Sequence, residues 1–134
     1  MAVFCHLWLA SLVVLVLVSQ LDFASAAVIV YDLHANDLSG DAAGNEPDPY
    51  LKIWCGGSFE QTNYITDNSN PHWTGGFTFS SCNSGDKLKL EVWDKDQSYD
   101  DYLGWYSGPV GTGANNHIFF SVGQGTMFLS YDVK

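Results

Sequence analysis

Seven carboxylate side chains are concentrated in two short, turn-like stretches of the sequence. They are Asp41, Glu46 and Asp48 in the first stretch and Asp94, Asp96, Asp100 and Asp101 in the second. Carboxylates gathered without compensation repel one another, and a hard divalent cation removes that cost. Calcium takes about six to eight oxygen ligands from carboxylates, carbonyl groups and water. The two stretches therefore predict a calcium site, and Asp94 and Asp96 are spaced to wrap one ion from an extended loop.

An EF-hand loop, the commonest helical calcium motif, does not fit the second acidic stretch. Such a loop aligned on Asp94 places Tyr99 where the turn needs glycine and Trp105 where a bidentate glutamate is needed. The predicted ligands must therefore come from loops that leave the ends of other elements.

Those elements are predicted to be short β-strands. Apolar or alternating runs separated by Gly, Asn, Asp and Pro clusters occur at 28–34, 50–55, 59–65, 77–80, 87–92, 103–106, 117–122 and 127–133. The clearest alternation is at 87–92, where Leu88, Leu90 and Val92 are expected to face the core. The spacing predicts an all-β fold, an eight-stranded antiparallel β-sandwich. Its aromatic core is expected to contain Trp73, Phe77, Phe79 and Trp93.

The charge balance excludes some partners. The formal net charge is −10, and all five basic residues are lysines. Nucleic-acid binding needs Lys and Arg to neutralise phosphates, so no nucleic-acid partner is expected. Direct attraction to anionic lipid is disfavoured for the same reason, and a membrane role would need a cation between protein and lipid.

The first 26 residues have the pattern of a secretory leader. An apolar run at 7–18 precedes the small residues Ala24, Ser25 and Ala26, which predicts cleavage after Ala26 and a single secreted domain at 27–134. The alternative, a membrane anchor, is disfavoured because the apolar run is short and ends in a cleavage motif. Cys55 and Cys82 remain in the mature chain, and in an exported domain they are expected to form a disulfide.

Several motifs, taken in order, resemble the C2 domain family. They are DPYLKI at 48–53, NPHW at 70–73, FTF at 77–79, LEVWDKD at 90–96 and DYLG at 101–104. Within that family, WCGG at 54–57, DNSNPHW at 67–73 and FLSY at 128–131 are similar to the C-terminal C2 domain of perforin. The resemblance does not include perforin's pore-forming domain, so this sequence by itself is not expected to line a pore.

The resemblance implies a C2-type Greek-key sandwich that binds two or more calcium ions at one end. It makes Asp41 and Asp48 ligands from the first loop, and Asp94 and Asp96 the main ligands from the third. The fifth carboxylate is either Asp101 or Asp100, and the sequence does not separate them. Glu46 and Asp67 are expected to be solvated, and Tyr99, at the tip of the third loop, is the predicted membrane contact.

These features predict a secreted, calcium-dependent phospholipid-binding protein in perforin-like immune or antimicrobial defence. The alternative is a calcium-stabilised adhesion or lectin-like module. No catalytic residues are assigned, because the sequence has no Gly-x-Ser-x-Gly nucleophile elbow and no acid or base that stands out beside the predicted metal site. A binding module is therefore expected, and not an enzyme.

Overall fold

The computed structural model describes residues 26–40 and 44–134, and every helix or strand in that part of the chain is a β-strand. The strands are β1 (Val28–Asn36), β2 (Pro49–Cys55), β3 (Ser58–Gln61), β4 (His72–Phe79), β5 (Lys87–Asp94), β6 (Asp101–Pro109), β7 (Asn116–Val122) and β8 (Gly125–Val133). All pairings are antiparallel. The predicted all-β, eight-stranded antiparallel sandwich is confirmed.

The strands form two four-stranded sheets, in the orders β4-β1-β8-β7 and β3-β2-β5-β6. The chain passes from one sheet to the other after β1, β3, β4 and β6. Because β1 ends and β2 begins at the same end of the sandwich as the β5–β6 connection, Glu46 and Asp48 of the first acidic stretch lie at that end together with the second stretch. We call this end the acidic tip.

Alternating side chains fill the space between the sheets. In β5, Leu88, Leu90 and Val92 are fully buried, as the sequence pattern predicted. Leu51 and Ile53 of β2 are buried beside them. A strand with one buried face and one outer face has its register fixed, because a one-residue slip would exchange the two faces.

One aromatic residue predicted for the core lies elsewhere. Trp73 and Phe79 are buried and Phe77 packs against the core. The prediction for Trp93 was wrong, because the alternation in β5 places it on the outer face, between buried Val92 and buried Asp94. The indole there packs against the ring of Tyr102, with 5.2 Å between centroids.

The strand bounds differ most from prediction at β3 and β4. The strand predicted at 59–65 is only Ser58–Gln61, although Thr62 and Ile65 still donate backbone hydrogen bonds to Leu51 and Pro49. The strand predicted at 77–80 begins earlier, at His72, and continues through Gly75 and Gly76.

A disulfide joins Cys55 and Cys82 as predicted, with 5.6 Å between the Cα atoms. It ties the end of β2 to the β4–β5 connection, at the end of the sandwich opposite the acidic tip. Ala27 and Lys134 lie at that same end, where they exchange backbone hydrogen bonds of 3.2 and 2.9 Å. Residues 1–25 of the predicted leader lie outside the described residues. Within the described residues, no helix has the length and apolar character to span a bilayer.

Candidate metal centre

Strand pairing positions the acidic residues before any ligand is considered. Asp94, the last residue of β5, is paired on one side with Pro49 at the start of β2 and on the other with Asp101 at the start of β6. The register of β5 with β6 shifts between Val92 and Trp93, just before these carboxylates. Three strand ends therefore bring Asp48 of the first acidic stretch close to the second stretch.

Three carboxylates converge there. Asp94, Asp96 and Asp101 each offer an oxygen, and the three oxygens lie within 4.8 Å of one another. Two ligands of one calcium ion, each about 2.3–2.6 Å from it, can be no farther apart than roughly 5 Å. The arrangement thus fits one hard cation. Asp94 is buried, Asp96 is partly exposed and Asp101 is exposed, so the cluster opens from the sheet edge towards solvent.

Asp48 forms hydrogen bonds to neighbouring segments of the acidic tip through both its backbone and its side chain. Its N–H donates to the carboxylate of Asp94 at 2.8 Å, and its carbonyl accepts from the N–H of Lys95 at 2.9 Å. Its own carboxylate accepts from the N–H of Asp67 at 2.8 Å. Asp48 borders the same open pocket of about 480 Å³ as Asp94 and Asp96. Its role as a calcium ligand stays a prediction.

Asp100 and Asp101, which the sequence left unresolved, have different surroundings. Asp101 belongs to the converging group, whereas the carboxylate of Asp100 accepts from the hydroxyl of Tyr50 at 2.5 Å and the N–H of Asp96 at 3.0 Å. These two hydrogen bonds hold the pKa of Asp100 below its usual value, and the nearby Lys95 ammonium adds to the effect. Asp100 is therefore placed to brace the loop.

Tyr50 is a residue that the sequence reasoning missed. Its position after Asp48-Pro49 on β2 marked it as part of a strand, and nothing in the sequence indicated a partner for its hydroxyl. Burial, together with the hydrogen bond to Asp100, raises the pKa of Tyr50, so the hydroxyl stays protonated and donates. This contact crosses from β2 to the 95–100 loop.

The other predicted site residues lie as follows. Asp41 is outside the described residues. Glu46 and Asp67 are exposed, as expected, and both border the pocket at the acidic tip. Tyr99 is 87% exposed in the loop between β5 and β6. Its contact with a membrane stays a prediction.

A comparison with known families identifies the fold. The family model described as "C2 domain" matches residues 27–122. The chain belongs to the C2 domain family. C2 domains generally bind phospholipid membranes, often with calcium, and are typically non-catalytic modules.

Individual relatives agree with this identification. The C2 domain is 35% identical over 80 residues to Perforin-1 from Mus musculus, covering 58% of this chain and 14% of the relative. It is 33% identical over 87 residues to Extended synaptotagmin-1 from Mus musculus, covering 63% and 8%. The chain thus spans a small part of these relatives. A solved "Structure of a C2 domain" superposes with a TM-score of 0.75 at 28% identity, covering 81% of this chain and 98% of that one.

Proposed function

We propose that this C2 domain is secreted, binds calcium through its clustered carboxylates and uses the bound ions to attach to phospholipid membranes. The observation that carries the proposal is the convergence of Asp94, Asp96 and Asp101 within 4.8 Å at the acidic tip. Asp48 and Asp41 complete the proposed ligand set from the first loop.

The net negative charge of the chain explains why a cation would be needed between the protein and the lipid. Removal of residues 1–26 takes away only Asp22, so the proposed mature chain carries five lysines against fourteen acids, and 5 − 14 = −9. Such a chain is repelled by anionic bilayers. Calcium neutralises the carboxylates, and its remaining coordination positions accept phosphate oxygens of the lipid. Because the bridge uses phosphate, zwitterionic and anionic lipids should serve almost equally.

The role in perforin-like immune or antimicrobial defence rests on the likeness to Perforin-1, with 35% identity over the shared 80 residues. Tyr99 supports docking at a membrane surface, since its ring is 87% exposed in the same loop as Asp96. An amphipathic ring in that position is favoured at the headgroup level.

Co-sedimentation with phosphatidylcholine vesicles, with and without phosphatidylserine, tests the proposal. Binding should require calcium, vanish with EGTA and be lost in Asp94→Asn with Asp96→Asn. The same double variant should lose the rise in melting temperature that calcium gives the parent by mass action. A matched control removes two exposed charges away from the tip, Asp32→Asn with Glu60→Gln, and should bind like the parent.

Equal sedimentation with and without calcium would contradict the proposal. A calcium-dependent rise in melting temperature without vesicle binding would instead support the adhesion or lectin-like alternative.

A further inference from the structure

Two histidines and one aspartate lie together on the outer face of the β4-β1-β8-β7 sheet, which the proposed membrane function does not use. His34 of β1 and His72 of β4 are direct partners across this antiparallel pair. The Cβ atoms of such partners are about 4.5–5.5 Å apart, a spacing at which two imidazole rings can reach one metal ion. We call Asp32, His34 and His72 the histidine cluster.

A β-bulge in β1 brings the carboxylate of Asp32 to the same face. Asp32 takes a positive φ of 53°, and the register of β1 shifts there with both β4 and β8. Val30 before the bulge and Leu33 after it are both buried, so Asp32 occupies the extra position and is exposed. Without the bulge, the alternation from Val30 would turn Asp32 towards the core. Bulges re-aim side chains in this way, often next to functional sites.

Both imidazole rings approach the same carboxylate oxygen. Nδ1 of His34 lies 3.4 Å from Oδ1 of Asp32, and Nε2 of His72 lies 4.0 Å from it. Two ligands of a tetrahedral zinc ion, bonded at about 2.0–2.2 Å, are roughly 3.3–3.6 Å apart. His34 and Asp32 already have this separation. The ring of His72 lies farther away, and its side chain, which is 62% exposed, has room to rotate inwards.

We propose that the histidine cluster binds one Zn²⁺ ion. Two imidazole nitrogens and a carboxylate oxygen form a donor set that suits zinc, which imposes no coordination geometry of its own, and water completes the tetrahedron. Calcium and magnesium prefer sites built from oxygen ligands, so the cluster should distinguish zinc from the ion proposed at the acidic tip. Zinc also offsets the charge of Asp32, with which no lysine within residues 26–40 and 44–134 forms an ion pair.

The two rings of the histidine cluster have different surroundings. His34 stacks on Phe128 of β8, with 4.8 Å between centroids and 8° between the ring planes. Its Nδ1 nitrogen also lies 3.1 Å from the carbonyl oxygen of Asp32. A proton on Nδ1 makes this contact a hydrogen bond, and zinc at Nδ1 takes the place of that proton. His72 meets His34 edge-on, with 6.1 Å between centroids, so zinc binding draws the exposed ring of His72 towards a half-site formed by His34 and Asp32.

The histidine cluster is separate from the proposed calcium site. Asp94 ends β5 in one sheet, whereas the cluster lies on the outer face of the other sheet. Stacked sheets are about 10 Å apart, and the hydrophobic core fills the space between them. Zinc binding should therefore persist in Asp94→Asn with Asp96→Asn, even if the proposed membrane function fails. Conversely, Asp32→Asn with Glu60→Gln, the control for vesicle binding in calcium, should lose zinc binding.

Isothermal titration of zinc chloride into the purified protein tests the proposal, with excess magnesium present to occupy sites made of oxygen ligands alone. We expect saturable binding of one zinc ion per chain. Cobalt(II), used in place of zinc, should give the intense visible absorption of a tetrahedral site. His72→Ala and His34→Phe, which keeps a ring against Phe128, should each weaken the zinc affinity about tenfold or more, because loss of outer support alone typically costs a metal site that much.

The matched control is His117→Ala, which removes the third histidine of residues 27–134 from the same outer face. His117 is hydrogen-bonded to the hydroxyl of Ser130 at 2.9 Å, and its loss should leave the zinc affinity unchanged. An unchanged melting temperature without zinc verifies folding of each variant.

The proposal is overturned if zinc does not bind in excess magnesium, or if either His34→Phe or His72→Ala binds zinc like the parent. It is also overturned if Asp94→Asn with Asp96→Asn abolishes zinc binding, which would assign the zinc to the acidic tip.

Discussion

The hydroxyl of Tyr50 reaches from β2 to Asp100, beside the proposed calcium ligands. Asp100 in turn accepts from the N–H of Asp96, so removing the hydroxyl loosens the loop that carries Asp96. Residues that orient metal ligands typically affect affinity by about tenfold or more. We expect Tyr50→Phe to raise by about tenfold the calcium concentration that gives half the maximal rise in melting temperature. Tyr64→Phe, at an exposed tyrosine, is the control. Equal calcium responses of the two variants would show that the hydrogen bond from Tyr50 to Asp100 does not support the calcium site.

The carboxylate of Asp132, away from the proposed metal site, predicts that the stability of the fold depends on pH. The N–H of Asn115 and the hydroxyl of Tyr31 donate to Asp132 and lower the pKa of its carboxyl below 3.8. A pKa lowered by folding stabilises the folded state above the unfolded pKa, and this contribution is lost as the pH falls through the folded pKa.

Asp132→Asn should therefore lower the free energy of unfolding at pH 7, and the difference from the parent should shrink as the pH falls below about 4. Urea denaturation at several pH values measures it, with Glu60→Gln as the control. A difference that stays constant with pH would contradict the ionic origin of the effect.

Sequence reasoning could find the acidic stretches but could not orient neighbouring residues within them. Asp94 and Asp96 stood out because they are two carboxylates two residues apart within an acidic stretch. Asp100 and Asp101 could not be separated, since the register at which β6 begins decides which of them faces the cluster. That register depends on the shift opposite Val92 and Trp93, a long-range feature of the β5–β6 pair.

At the level of elements, the disulfide crosslinks the end of β2 to the connection between β4 and β5. Cys55 and Cys82 enclose a loop with a sequence separation of 27 residues. On the chain-entropy model such a crosslink stabilises by about 3 kcal/mol. Cys55→Ala with Cys82→Ala should lower the free energy of unfolding by about this amount in urea denaturation. Calcium should still raise the melting temperature of this variant, because the disulfide is at the other end of the sandwich. An unchanged free energy would contradict its stabilising role.

Glycine in β4 allows two strands to approach closely. A Cβ at Gly76 would lie 2.2 Å from the carbonyl oxygen of Val30, whereas one at Gly57 would meet nothing within 4 Å. We expect Gly76→Ala to lower the free energy of unfolding by about 1–3 kcal/mol, as overpacking does. Gly57→Ala is the control in the same denaturation experiment. Equal stability of the two variants would show that β4 can move away without cost.

A comparison of β5 with β4 shows which strand bounds could be predicted from the sequence and which could not. The pattern at 87–92 gave β5 directly, because hydrophobic alternation reflects burial on one face. Gly75 and Gly76 precede the strand predicted at 77–80, yet they lie inside β4: Gly75 takes a φ of 81° and Gly76 fits against β1. The alternation in β5 continues through Trp93 and places it on the outer face, although Trp93 was expected in the aromatic core.

For the molecule as a whole, charge and exposed aromatic side chains are unevenly distributed. Tyr99 extends at the acidic tip, where the proposed calcium ions would hold the lipid. We expect Tyr99→Ala to weaken vesicle binding several-fold in calcium while leaving the calcium-dependent rise in melting temperature intact, because the ring contacts lipid and no ion. Phe119→Ala, away from the tip, should sediment like the parent. Loss of the calcium response in Tyr99→Ala would show that the residue supports the site itself.

The sequence could not reveal how distant strands share a surface. His34 and His72 are separated along the chain, and only the pairing of β1 with β4 places them side by side on one face. Their shared surface depends on topology, which periodicity within a single strand does not specify.

The neighbouring positions of Ala27 and Lys134 have a mechanical consequence. Because β1 and β8 are adjacent and antiparallel, a force applied between Ala27 and Lys134 would break the hydrogen bonds between these strands one after another. A force between the acidic tip and either of these residues instead runs along the strands and loads many hydrogen bonds at once. A domain held at its tip and pulled from Ala27 or Lys134 would therefore resist in shear, the stronger direction for a sheet.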